Sequence, residues 1–467
     1  MEEEKITTTA SEETEPKVIS PEESTVDEVV VSEDANTGKK KKKPKNKLLP
    51  LWIVLGIIAG IAVIVAIIAI ANAGCKASMM KYVDTFGPTE KANKLVPTIE
   101  DGYYTFTTNE DFKVMQLTDI HVGGGFGSFS RDKKALNAVD AMIKAEKPDF
   151  IVVTGDMAFP VPYSSVTFNN MTGLTEFFTF MENQQIYWTL TFGNHDTESY
   201  SYYNREEISD FVEDQDFKYC LYSAGPEDVD GYGNHVVRVK DTNGLITQAF
   251  IMLDSHAYKD SDVFGVKWEY DNMKPSQEKW YKEEVAKLNA ENSAKLATLS
   301  DSQLLNPRDT YTNVKTMMFF HIPLGEVKTC VEAYVESGFS KNPTADIEFV
   351  DGIIGEEDYF VGCGVGDDNM FETILEVGST QAIFNGHDHV NNSIINYKGV
   401  NFVYGMSIDY LAYLGIDKVG VQRGCTVIMV SNDGSIDITL ENYYQDKYES
   451  KYEKEEVEDM DEIAKRW

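Results

Sequence analysis

Five of the seven histidines fall in short clusters of metal-binding side chains, each placed where a run of apolar residues gives out. The clusters are Asp119-Ile120-His121, Gly193-Asn194-His195-Asp196, His321 within Phe319-Phe320-His321-Ile322-Pro323, and Gly386-His387-Asp388-His389. Gly155-Asp156 adds a carboxylate between the first two. Imidazole, carboxylate and carboxamide groups are the ligands of hard to borderline cations, and their number predicts two ions rather than one. In Asp119-Ile120-His121 the two-residue spacing on an extended backbone would turn both side chains to one face, where they could grip one ion. His387 and His389 repeat that spacing. The two oxygens of Asp156 could bridge two cations, and Asn194 offers a neutral oxygen that limits the negative charge gathered there.

Such clusters need rigid elements behind them. The pattern predicts a strand over Phe112 to Leu117, an amphipathic helix over Lys133 to Ala145 and a continuous apolar strand over Phe150 to Thr154, a β-α-β unit. A helix over Leu174 to Asn183, with Phe177, Phe178 and Phe180 as core, and a strand over Ile186 to Thr191 continue it. Further strands are expected at His235 to Val239, Gln248 to Leu253, Thr316 to Phe320, Gln381 to Phe384, Asn401 to Tyr404 and Thr426 to Val430, with a long charged helix over Gln277 to Leu296. About ten strands among helices predict a two-sheet α/β sandwich with helices outside. Ligands then gather on one rim, at the carboxyl ends of the strands. Leu299 to Asn313 and Thr329 to Asp368 are polar and read as loops or a small cap.

Residues 1–47 carry twelve acidic and nine basic groups, and residues 1–34 among them hold twelve Asp or Glu against two Lys. That stretch is expected to stay disordered, because it cannot bury enough apolar surface to offset the entropy of ordering. Lysines 39–43, 45 and 47 then precede Leu48 to Ala73, a stretch without charge and long enough to span a bilayer. Basic residues before the span predict an N-terminus in the cytoplasm and everything after Ala73 outside the cell. A cleaved signal peptide would need a short basic leader instead of 47 residues. Gly74-Cys75 resembles a lipoprotein processing site, although Asn72 stands where an aliphatic residue is favoured. Residues 74–110 read as a linker and the start of the outer domain, 111–441 as the globular domain and 442–467 as a charged tail. Beyond residue 47 the chain holds 65 acidic against 33 basic groups, a balance that repels phosphate backbones, so no nucleic-acid partner is expected. Cys220, Cys330, Cys363 and Cys425 allow two disulfides or four free thiols.

The order Asp-x-His, Gly-Asp, Gly-Asn-His-Asp, lone His and Gly-His-x-His between Asp119 and His389 resembles the calcineurin-like metallophosphoesterases, over about Asp111 to Glu441. Leu253-Asp254-Ser255, Gln277 to Trp280, His321-Ile322-Pro323-Leu324 and His387-Asp388-His389-Val390-Asn391 look like the purple-acid-phosphatase-related branch. The resemblance implies the αββα sandwich of that family, with cap insertions. It implies that Asp119, His121 and His389 hold a first metal, that Asn194, His321 and His387 hold a second, and that Asp156 bridges them. The ions would be divalent or mixed-valence Mn, Fe or Zn. His195 would protonate the leaving oxygen, with Asp196 as its orienting carboxylate, while a hydroxide shared by the metals attacks phosphorus in line. Purple acid phosphatases proper use a Tyr ligand to ferric iron; His121 stands in the first motif here, so a ferric site does not carry over. The expected activity is phosphate-ester hydrolysis, monoester before diester, at the outer face of a membrane. The alternative is a membrane-tethered binding or sensory protein on a disabled hydrolase scaffold. Asp368 and Asn369, in the glycine-rich segment 362–369, are candidate substrate contacts or part of a plain connector. Asp254 reads equally as support for the site or as a polar strand end, and His235 and His256 as ordinary residues.

Overall fold

A computed structural model describes residues 49–456 except 263, 367 and 414–422. The acidic stretch 1–34, the lysine run and residues 457–467 lie outside the described residues. Two sheets face each other. The smaller has five strands in the order Ile436–Asn442, Gly424–Val430, Phe112–Leu117, Phe150–Thr154, Tyr187–Thr191, the last three parallel. The larger has nine, in the order Thr98–Glu100, Tyr103–Thr107, His235–Lys240, Ile246–Met252, Thr316–Phe319, Thr380–Asn385, Val400–Tyr404, Asn391–Tyr397, Ile347–Ile354. Ile246–Met252, Thr316–Phe319, Thr380–Asn385 and Val400–Tyr404 run parallel.

The period of two along each strand sorts side chains into layers. Phe150 and Val152 point between the sheets and join Phe250, Met317 and Phe384 there. Ile151 and Val153 point outward and pack with Leu136, Val139 and Phe177 of the helices Phe129–Glu146 and Asn170–Gln184. On the far side Ile251, Met318 and Ile383 pack with residues of Pro275–Leu296, Gly325–Glu336 and Met370–Val377. Helix, sheet, sheet, helix is the expected sandwich, and it buries both faces of each parallel region.

Two expectations need correction. Thr329 to Asp368 is no simple cap: the helix Gly325–Glu336 enters it, and Ile347–Ile354 forms an edge strand of the larger sheet. An edge strand buries little, so it shows no apolar run to read. The sheet begins at Thr98, within the stretch 74–110 expected to hold the start of the outer domain. Residues 443–456 are no free tail, since Tyr443 and Tyr448 are buried in the core. All five cysteines are free.

The apolar stretch expected at Leu48 to Ala73 belongs to one helix, Leu49–Val83, that runs ten residues further. It is long and apolar enough to cross a membrane. Its last turns dock: Asn72 bonds Val166 O and Phe126 N, each at 2.9 Å, and Met79 and Val83 join the core. Nearby, Glu176 lies buried with one carboxylate oxygen unpartnered, and burial, reinforced by Asp132, pushes its carboxyl up to about 9. A folded-state value above the unfolded one means stability that is full below the ordinary carboxylate range and lost as pH rises toward that value. Glu176→Gln is therefore expected to raise Tm by a few degrees at pH 8, about 1–3 kcal/mol, and to change nothing near pH 4, read by thermal melts at both.

Candidate metal centre

Each cluster leaves the end of a parallel strand. Asp119 and His121 follow Phe112–Leu117, Asp156 follows Phe150–Thr154, and Asn194 and His195 follow Tyr187–Thr191. From the larger sheet, His321 follows Thr316–Phe319, and His387 and His389 follow Thr380–Asn385. The two rims meet through Gln116, whose amide donates to Asn385 O at 2.9 Å. The turns are tight rather than extended: Asp119, His121, Asp156 and His387 have φ of +51°, +54°, +50° and +82°. Left-handed backbone at non-glycine residues costs of order 1–3 kcal/mol each, and such strain gathers where side-chain aim matters. Two glycines make room for this: a Cβ on Gly193 would lie 2.1 Å from Asp156 Oδ1, and one on Gly386 would lie 1.9 Å from Thr118 Oγ1.

Ligand atoms converge in two sets that share one residue. Asp119, His121, Asp156 and His389 bring theirs within 4.8 Å of one another, and so do Asp156, His321 and His387. Asp156 Oδ2 lies 3.4 Å from His121 Nε2 and 3.1 Å from His321 Nε2. His321 Nδ1 donates to Thr154 O at 2.8 Å, which leaves the Nε2 lone pair facing the carboxylate and His387 Nδ1, 3.3 Å away. Acceptors this close repel one another unless a proton or a metal cation lies between them. Burial opposes the charge on Asp156, yet the imidazoles of His321 and His195 outweigh it and hold the carboxyl well below its usual range. Burial likewise opposes a charged His321, and Asp156 overrides it to push the imidazole up to about 9. Asn194 completes the picture. Its Nδ2 donates to Tyr258 Oη at 2.9 Å, while Oδ1 is buried without a partner. A buried carboxamide oxygen left bare costs about 1–3 kcal/mol unless something electropositive meets it, so the residues fit a pair of metal ions.

The supporting groups differ from those expected. Asp196 does not face the His195 ring; it accepts from the backbone N–H groups of Asp156, Ala158 and Gly193 at 2.9–3.0 Å and ties two ligand loops together. The carboxylate on the ring is Glu198, whose Oε1 lies 2.7 Å from His195 Nδ1. Spacing i, i+3 through the helical turn His195–Thr197 was the available signal. Asp409 was missed altogether. Its oxygens lie 3.2 Å from His121 Nδ1 and 3.5 Å from His389 Nδ1, and three backbone N–H groups, of Leu411, Ala412 and Tyr413, hold it in place. A carboxylate behind a ligating imidazole sets its tautomer and basicity. Asp409→Asn is expected to weaken metal binding about 10–100-fold, measured by competition with a fluorescent chelator; unchanged affinity would reduce Asp409 to a loop anchor.

Asp368 and Asn369 do not line the cleft above the ligands. They precede the helix Met370–Val377, where Asp368 accepts from Met370 N at 3.0 Å and Asn369 is the N-terminal cap residue. The segment does approach the site at Gly362, where a Cβ would meet His387 Nε2 at 2.8 Å. Asp254 pairs with Arg205, which also donates to Gly193 O at 2.8 Å, so it supports the Asn194 loop. His235 and His256 serve elsewhere, on Thr189 and Gln277.

Residues 112–391 match the calcineurin-like phosphoesterase family. The chain belongs to that family. Among its relatives is probable inactive purple acid phosphatase 28 of Arabidopsis thaliana, 28% identical over 331 residues, which are 66% of this chain and 73% of the relative. Probable inactive purple acid phosphatase 29 of the same plant is 26% identical over 342 residues, 70% of this chain and 78% of the relative. Similar solved structures include a dimetal phosphatase from Danio rerio, 10% identical with a TM-score of 0.40, covering 71% of this chain and 99% of that one. Another is the calcineurin-like phosphoesterase YfkN from Bacillus subtilis, 13% identical with a TM-score of 0.31, covering 72% of this chain and 91% of that one.

Proposed function

We propose that the chain is a metal-dependent phosphoric-ester hydrolase, acting on monoesters before diesters, tethered to a membrane by the helix Leu49–Val83 with the sandwich outside the cell. One observation carries the reading: two converging ligand sets share the buried Asp156, beneath an open cleft that His387 and His389 line. Asp119, His121, His389 and Asp156 would hold one ion, and Asn194, His321, His387 and Asp156 the other. Bound there, a pair of Mn, Fe or Zn ions supplies acidified water and neutralises charge on a phosphoryl group. The chain's own residues do the rest. His195 lines the cleft with Nδ1 held by Glu198, so Nε2 is free to give a proton to the departing oxygen. Phe159 packs its ring 4.9 Å from that imidazole and excludes water from one side. The lysine run before the helix supports the orientation, and the phosphatase in the relatives' names supports the preference for monoesters.

The same names read "inactive", and that favours a second reading, a tethered metal- or ligand-binding protein. Full-length chain loaded with Mn²⁺ separates the two. Turnover of p-nitrophenyl phosphate above bis-p-nitrophenyl phosphate, abolished by chelator, is the expected result; metal binding with turnover of neither selects the second reading.

A further inference from the structure

The cleft above the ligands holds about 920 Å³, near the upper end of small-molecule sites and far more than a phosphate group fills. Its floor carries His195, His387 and His389. Aromatic walls begin directly against those rings: Phe159 stands 4.9 Å from His195, Tyr270 4.4 Å from His387, and Tyr413 5.5 Å from His389. At the mouth Trp268 and Phe360 pair at 6.0 Å yet stay 63% and 44% exposed. Folding alone does not account for two large apolar side chains left in water beside a site. Charge points the same way. Among the described residues the lining carries six carboxylates, Glu332, Glu336, Glu356, Glu357, Asp358 and Asp388, against a single cation, Lys328.

We propose that this cleft selects a phosphate ester whose alcohol is bulky and apolar and carries no second anionic group; the proposal deepens the phosphoesterase reading and rests on it. The phosphoryl group must find its positive charge on the floor, because the described walls supply only Lys328. An alcohol leaving from the floor emerges between Phe159, Tyr270 and Tyr413, where apolar area is removed from water. A second phosphate or carboxylate would sit among these carboxylates and be repelled. Nucleoside polyphosphates, inositol polyphosphates and acidic phosphopeptides are therefore poor substrates, and aryl or branched alkyl monoesters good ones.

The test uses the full-length chain in lipid nanodiscs, loaded with Mn²⁺, and titrates stable phosphonates calorimetrically. Affinity is expected to rise about tenfold from methylphosphonate to phenylphosphonate and again to 2-naphthylphosphonate, with an increasingly negative heat-capacity change. 4-Carboxyphenylphosphonate is expected to bind several-fold more weakly than phenylphosphonate, and Trp268→Ala with Phe360→Ala to flatten the gain on going to naphthyl. Equal affinity across the series, or tighter binding of the carboxylated ring, overturns the proposal. Turnover of p-nitrophenyl phosphate is followed on the same sample. A flat series with turnover intact sinks the selectivity alone, whereas a steep series without turnover sinks the hydrolase reading and leaves the cleft's preference standing.

Discussion

Replacing Asp156 by asparagine is expected to lower kcat/KM on p-nitrophenyl phosphate by at least about a thousandfold, roughly 4 kcal/mol of transition-state stabilisation, and to cut bound metal from about two ions per chain to one or fewer. The reason lies in what one side chain does. Asp156 is fully buried and belongs to both ligand sets, with Oδ2 near His121 and His321 and Oδ1 accepting from His195 N at 2.8 Å. Asparagine keeps the shape and one oxygen but removes the negative charge and offers an N–H₂ where an acceptor is needed. His121 Nε2 and His321 Nε2 then lose the carboxylate oxygen that lies 3.4 and 3.1 Å from them. Elemental analysis of purified variant and parent gives the metal count, and steady-state assays give the rate. Undiminished turnover at full metal occupancy would remove Asp156 from the bridging role.

His195→Ala is expected to depress turnover of phenyl phosphate by about 10²–10⁴ while costing p-nitrophenyl phosphate less than about tenfold. A poor leaving group needs a proton as the P–O bond breaks, and a good one does not. His195 faces the cleft, and the 2.7 Å contact of its Nδ1 with Glu198 fixes which nitrogen is presented. Glu198→Gln should follow the same pattern with a smaller loss, whereas Asp196→Asn should act on stability, since its carboxylate serves three backbone N–H groups and not the ring. A plot of rate against leaving-group acidity for the four proteins decides it. Parallel lines for parent and His195→Ala would count against proton donation.

How much of this was legible in the chain follows from how each group is held. Ligands on strand ends are local motifs: an apolar run, a turn, then Asp, His or Asn within three residues, and every one of the seven predicted ligands lies in the rim where the two sheets meet. Asp196 departs from the role the resemblance implied, because at that tight turn its side chain points back into the backbone of the neighbouring loops. Asp368 and Asn369 carried a plainer signal, polar residues just before a helix, which is a capping pattern. The edge strand Ile347–Ile354 was hidden because half of it faces water and needs no apolar run.

By itself the sequence determined the candidate ligand types, their order, the α/β class and the long apolar helix, since each of these is written in spacing over a few residues. Only the tertiary structure decided that Asp409, twenty positions beyond His389, stands behind His121 and His389 together. It alone also showed that Glu198 rather than Asp196 holds His195, and that aromatic rings from four separate segments wall the cleft. Those groups meet because two sheets close on one another. Contacts across that closure leave no periodicity along either strand, so no local pattern in the chain records them.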